Sequence, residues 1–323
     1  MKEEYKNNEI NINLKANIFK IINIVLFLII ILKSIFFNSE KLIKIALCTM
    51  GKRENLYAKE FIDYYIKLGI DSIFIYDDNN VNSEKISDVI DGSYKQYVKI
   101  YEAKKNKIFN QSDAFTDCYK NNLHNFNWIL MVDMDEFLYI KNENLKNYLQ
   151  KKVFNKCDFI KFHWLLPSDN NHLYYENKTL FERFKKPYKK SIYIKTIVRG
   201  NINNLKYWVH SPFISPFKNI SCNNIGKIIN NNNIINIESI NKINTKKAYI
   251  IHFNYKSTEE FINKYKRGYS NWFQDRLNDF LDIKIKDYFR DNEITISKID
   301  FFEKELKLNL SKYKKLINKK SIL

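Results

Sequence analysis

The sequence predicts an α/β domain built on a mostly parallel sheet flanked by helices. Three observations predict it. Short apolar runs alternate with helical patterns from residue 42 to residue 139. The run Trp128-Ile-Leu-Met-Val132 is apolar without interruption, as in a strand covered on both faces. That run stops abruptly in Asp133-Met134-Asp135-Glu136, a polar strand end. Strands joined through helices lie parallel, with right-handed crossovers.

Residues 42–49 read as the first strand. Residues 55–68 put Leu56, Ala58, Phe61, Ile62, Tyr65 and Ile66 on one helical face, and Gly69 is a suitable stop. A second strand over 72–76 ends in Asp77-Asp78-Asn79. A short helix over 83–90, a strand over 97–101 and a helix over 111–123 lead to the Trp128 strand. Beyond Tyr139 the pattern loosens. Residues 145–154 look helical, and 159–165, 191–198 and 248–253 look like strands. Residues 219–247, rich in Asn and Ile with Asn230 to Asn233 consecutive, suggest a variable insertion. Residues 258–269 are helical, and 296–317 form a lysine-rich amphipathic stretch.

Composition narrows the functional classes. The 54 basic against 36 acidic residues give a net charge of +18. The lysines are scattered among Asn and Ile rather than gathered in a stripe, and no aromatic-basic platform for single strands is present. Nucleic acid is therefore not the expected partner. Cys48, Cys118, Cys157 and Cys222 lie far apart, so neither a zinc ribbon nor a Cys-x-x-Cys dithiol is indicated. Cys48, inside an apolar strand, reads as a small core residue. The cysteine count neither demands nor excludes an oxidising compartment.

After a short polar stretch, residues 1–17, residues 18–37 are apolar enough to span a bilayer, which takes about twenty residues as a helix. Asn23 interrupts the run, and Lys20 and Lys33 lie near its ends, where their stems can snorkel. No Ala-x-Ala cleavage site follows, which favours a retained single-pass anchor over a removed signal peptide. Lys2, Lys6, Lys15 and Lys20 place the amino terminus in the cytosol. A globular domain over 42–272 and a basic helical tail over 273–323 complete the expected organisation.

The chemistry concentrates at Asp133 and Asp135. Two carboxylates two residues apart in an extended turn can point to the same side. Together they can hold a hard divalent cation, which in turn holds a diphosphate. Ligand sites in open α/β sheets lie beyond the carboxyl ends of the strands, where these acids emerge. That combination suits nucleotide-sugar transfer.

Four segments, in order, extend this reading: residues 46–55 leading into 60–71 and 73–80; Asp133 to Phe137; Lys195-Thr-Ile-Val-Arg199 with Trp208-Val-His210; and residues 252–261 with Lys264 and Arg267-Gly268. Over roughly residues 43–272 the chain resembles the GT-A-type glycosyltransferases, in particular the family 2-like and family 92 group. The resemblance implies a GT-A-like fold, a UDP- or GDP-sugar donor, Mn2+ (or Mg2+), and a glycan, lipid-linked or protein-linked acceptor. It places the base and ribose at the loop 49–55, where Arg53 can stack or meet phosphate. Asp77 and Asp78 are placed to accept from ribose or uracil, although the same Asp-Asp-Asn-Asn run can equally be a turn capping the next helix. Asp133 serves ribose and metal, Asp135 the metal. His252 is a late metal ligand, suited to Mn2+, or a buried structural histidine. Lys195, Arg199, Lys264 and Arg267 can bind diphosphate as charge-assisted donors, with a solvated surface role as the first reading for any single one. His210 reads first as structural, with acceptor or metal contact as its alternative. A base that deprotonates the acceptor is expected at Asp169, with Glu176 and Glu182 behind it. The competing reading is a catalytically inactive GT-A-like domain that binds carbohydrate or protein on a membrane, which the intact Asp133 and Asp135 pair disfavours.

Overall fold

The computed structural model describes residues 20–29, 43–213, 219–229, 244–266 and 277–320. The chain divides into two compact units, residues 1–43 and 44–323. In the first, residues 20–29 are helical with exposed apolar side chains such as Ile21 and Phe27. Among the described residues no helix is long and apolar enough to cross a membrane, which departs from the expected spanning helix. The rest of the 18–37 stretch lies outside the described residues.

The second unit is an α/β domain. Strands β1 (Ile45–Gly51), β2 (Ser72–Asp77), β3 (Val98–Glu102) and β4 (Trp128–Met131) pair in parallel, in the order β4-β1-β2-β3. Their connections are helical: α1 (Asn55–Leu68), the short α2 (Ile86–Val89) and α3 (Gln111–Asn122). Helix α1 buries Tyr57, Ala58, Phe61, Ile62 and Tyr65 and ends at Gly69, whose φ of 105° only glycine adopts freely. Tyr65 then locks the helix to the strand that follows β4, β5 (Glu136–Ile140). Its hydroxyl donates to Glu136 O at 2.8 Å and accepts from Leu138 N at 3.0 Å. Helix α3 starts where the Asn110 side chain accepts from Asp113 N, at 2.9 Å.

The second half reverses direction. After α4 (Leu145–Leu149) come β6 (Phe159–Pro167), α5 (Leu180–Arg183) and β7 (Tyr188–Arg199). Strand β7 is antiparallel to both β4 and β6, so it sits between them and makes the sheet mixed rather than mostly parallel. Strands β8 (Lys206–Tyr207) and β9 (Pro212–Phe213) form a separate ribbon. The described part of the expected insertion supplies β10 (Ser221–Asn223) and β11 (Ile228–Ile229), which extend the sheet edge beside β6. Strand β12 (Ala248–His252) pairs parallel with β6 and antiparallel with β5, which brings His252 opposite Glu136.

Helices α6 (Thr258–Lys266), α7 (Leu277–Asp291), α8 (Ile296–Leu306) and α9 (Ser311–Lys320) follow. They share an aromatic core that includes Phe261, Tyr265, Tyr288, Phe289 and Phe302.

All four cysteines are paired, Cys48 with Cys118 and Cys157 with Cys222, at Cα separations of 6.3 and 5.7 Å. Cys48 is buried as expected, but it is half of a covalent link between β1 and α3 rather than a free core residue. Partners that meet only through the fold leave no spacing signature in sequence.

Candidate functional site

The carboxyl ends of β1, β2 and β4 open onto one cleft of about 960 Å³. Lys52 and Asp78 line it beyond β1 and β2, and Asp133, Met134 and Asp135 line its floor beyond β4. Gly51 lets the Met134 thioether pack close to the end of β1, since a Cβ at that position would push Met134 and Ile86 aside.

Asp133 Oδ1 accepts from Lys195 Nζ at 2.7 Å and from the Gln111 side-chain amide. Lys195, reaching in from β7, is buried; its ammonium also donates to Val209 O at 2.9 Å and lies 3.5 Å from Glu136 Oε2. Burial alone would neutralise this lysine, but Asp133 and Glu136 outweigh it and keep it charged. Asp135 is buried between two further groups: Lys264 Nζ lies 3.0 Å from its Oδ2, and His252 Nε2 lies 3.4 Å from its Oδ1. Burial opposes ionisation of Asp135, yet Lys264 and His252 hold its carboxyl well below the usual range.

Glu136 behaves oppositely. Burial, reinforced by the Asp133 charge, pushes its carboxyl well above the usual range despite Lys195. Its Oε2 accepts from Asp133 N at 2.9 Å, while its Oε1 and the facing His252 Nδ1, 3.8 Å away, have no hydrogen-bond partner among the described residues. Burial lowers the His252 pKa below its ordinary value against the pull of Asp135, so the imidazole is uncharged near neutral pH. His210 also lines the cleft, with Nδ1 at 3.2 Å from Ile194 O; burial and then Lys195 push it down to about 4.

Asp133, Asp135, Lys195, Lys264, His210, His252 and Asp78 thus meet in one cleft. Other expected site residues do not reach it. The Asp77 carboxylate accepts from Asn79 N and Ile86 N, both at 2.8 Å, and so caps the turn into α2 instead of facing a ligand. Arg53 adopts φ 55° and its main-chain N–H donates to Asn79 Oδ1 at 2.6 Å; its side chain is outside the cleft lining. Arg199 sits at the opposite end of β4. Its guanidinium donates to Cys157 O and Phe154 O, both at 2.8 Å, and lies 4.2 Å from the Trp128 ring centroid.

Asp169, the expected base, does not reach the cleft lining either. It is buried, with Lys298 Nζ at 2.7 Å and the Tyr288 hydroxyl on Oδ2 and Asn171 N at 3.0 Å on Oδ1. Glu176 pairs with His172 and Lys178, and Glu182 closes the cap of α5 with Thr179. Arg267 and Gly268 lie outside the described residues. Sequence reasoning passed over Gln111, Trp164, Tyr193 and Asp287, all of which line the cleft. Gln111 had a faint signal as the first residue after a helix-capping asparagine; the others come from strands and a helix whose neighbours only the fold reveals.

A mixed α/β sheet whose strand β4 delivers paired carboxylates to a cleft, where lysines from β7 and α6 meet them, suits a sugar transferase. Residues 43–292 match the sequence model of Glycosyltransferase family 92, most of the chain, and the protein belongs to that family and is a glycosyltransferase. No curated protein sequence matches the chain. Among solved structures it is similar to mannosyl-3-phosphoglycerate synthase from Rubrobacter xylanophilus, at 14% identity over 40% of this chain and 42% of that one, with a TM-score of 0.27. It is also similar to S. aureus TarS, at 15% identity over 39% of this chain and 21% of that one, with a TM-score of 0.25. Each likeness spans less than half of either chain.

Proposed function

We propose that the enzyme moves a sugar from a nucleoside-diphosphate sugar, UDP- or GDP-linked, to a glycan, lipid-linked or protein-linked acceptor, with Mn2+ or Mg2+ as cofactor. The observation that carries this reading is Asp135, held ionised beside an uncharged His252 at the floor of the cleft. A carboxylate and a neutral imidazole are a sound donor pair, and His252 turns its Nε2 toward Asp135 Oδ1, at 3.4 Å. Among those residues no group of three His, Cys, Asp or Glu side chains comes together to hold an ion. Asp135 and His252 would therefore share an ion with diphosphate oxygens, and Asp133 stands beside them. Such an ion supplies Lewis-acid stabilisation of the leaving diphosphate.

The chain's own residues do the rest. Lys195 and Lys264 bring fixed positive charge to the cleft floor, where diphosphate charge builds as the glycosidic bond breaks. Gln111 fixes the orientation of Asp133. Lys52 and Asp78, 3.7 Å apart beyond β1 and β2, suit the nucleoside end. Asp287, rather than Asp169, is the base for deprotonation of the acceptor hydroxyl: it is a cleft carboxylate whose side chain is 34% exposed and which pairs with Arg290 at 2.8 Å.

Pairing of all four cysteines favours work in an oxidising compartment. The exposed apolar side chains of residues 20–29 favour membrane attachment through the 18–37 stretch, and the lysines that precede it favour a cytosolic amino terminus. Incubation of the full chain with a panel of nucleotide sugars and Mn2+ should release the nucleoside diphosphate from one of them, and chelator should stop it. Release that chelator leaves untouched would remove the metal, and no release across the panel would remove the donor class.

A further inference from the structure

We propose that Tyr193, Trp164 and His210 form a stacking surface for the acceptor, a pyranose that lays its C–H face on these rings. The proposal rests on the donor reading above, because it defines the surface by its position relative to the Asp133 and Asp135 floor.

The three rings come from β6, β7 and the turn after β8, and all line the cleft. Tyr193 and His210 are stacked, with centroids 5.4 Å apart and planes at 25°. Trp164 closes the group, at 5.3 Å from Tyr193 and 5.1 Å from His210. The Trp164 ring also lies 4.2 Å from His252, whose Nε2 is 3.4 Å from Asp135. The wall therefore begins one ring away from the carboxylate floor. Packing among aromatics explains Trp164, which is 8% exposed, but not Tyr193, which leaves 42% of its surface open.

Sheet order gives the wall its side. Strands β7 and β6 lie on one flank of β4, whereas β1 and β2 lie on the other. Lys52 and Asp78 occupy the β1 and β2 flank, so a nucleotide reaching from there to Asp133 leaves the β6 and β7 flank to the other substrate. A pyranose has an apolar face of C–H groups and a polar hydroxyl rim, and such a molecule suits an apolar wall edged by polar groups. Around this wall Lys189 pairs with Asp291, and Arg290 with Asp287 and Asp291, and Lys190 also lines the cleft.

The test uses the full chain saturated with UDP or GDP, and saturation-transfer NMR with methyl glucoside, galactoside and mannoside. At least one pyranoside should show transfer to its ring C–H protons. Tyr193→Ala should weaken that binding about tenfold, while Tyr193→Phe, which keeps the ring, should retain it. Nucleotide affinity, measured separately, should not change in either variant. The half-open position of Tyr193 makes both substitutions compatible with folding, which the circular dichroism melt checks. Undiminished pyranoside binding in Tyr193→Ala would overturn the proposal, as would a parallel loss of nucleotide affinity or no pyranoside binding to the unmodified protein. Failure of the donor reading would show differently, as no nucleotide binding at all.

Discussion

Asp133 and Asp135 are two residues apart in sequence and differ in what surrounds them. Asp135 is enclosed by His252 and Lys264 and is the residue expected to meet the leaving group, so Asp135→Ala should lower kcat by about 100-fold or more. Wild-type turnover in that variant would move the site elsewhere. Asp133 is also the main counter-charge of a buried lysine, and Asp133→Ala leaves Lys195 with Glu136 at 3.5 Å as its remaining acidic neighbour. That change should cost about 3 kcal/mol of stability in urea unfolding besides weakening the donor. A third residue reads out by pH. Burial pushes His163 down to about 4, and its Nδ1 has no partner among the described residues. The unfolded chain therefore takes up its proton first as pH falls. The stability contributed by keeping His163 neutral is fully present above about pH 6.5 and is lost towards pH 4, by at most about 3 kcal/mol. His163→Gln should flatten the pH dependence of Tm across that window; an unchanged slope would refute the burial argument.

At the scale of elements, the alternating strands and helices up to β4 were legible because each apolar run carried its own period and its own stop. The same local signal correctly placed Asp133 and Asp135 at a strand end. At Asp77 the turn-capping alternative holds, since its carboxylate feeds main-chain amides two and nine residues on. The local signal failed at Asp169, because nothing nearby says that an acid in a polar turn meets a lysine 129 residues on. The antiparallel insertion of β7 beside β4 was equally hidden, since a strand's direction is set by its connection rather than its composition. Asp169 ties the loop after β6 to α7 and α8 through Tyr288 and Lys298. Asp169→Asn should therefore lower Tm with kcat within about twofold of wild type at a temperature where it is folded, since Asp169 lines no part of the cleft; removing one partner of a buried pair costs about 3–5 kcal/mol. Selective loss of acceptor transfer at unchanged Tm would restore Asp169 as the base.

Among the described residues the second unit is held by a sheet of ten strands and two covalent links. In the chain-entropy view each link stabilises by about 4 kcal/mol, because each closes a long loop. Full reduction should lower Tm by about 10 °C or more, and thiol titration should find the cysteines unreactive until the protein is both unfolded and reduced. Neither link crosses the other along the chain: residue 118 closes the first loop before residue 157 opens the second. Four cysteines admit three pairings, and only this one joins each sulfur to its nearest available neighbour in order of synthesis. A chain that oxidises its thiols as they emerge, at about 5–20 residues per second, thus meets the correct partner first each time. Its route to the folded state requires no exchange between wrong and right bonds.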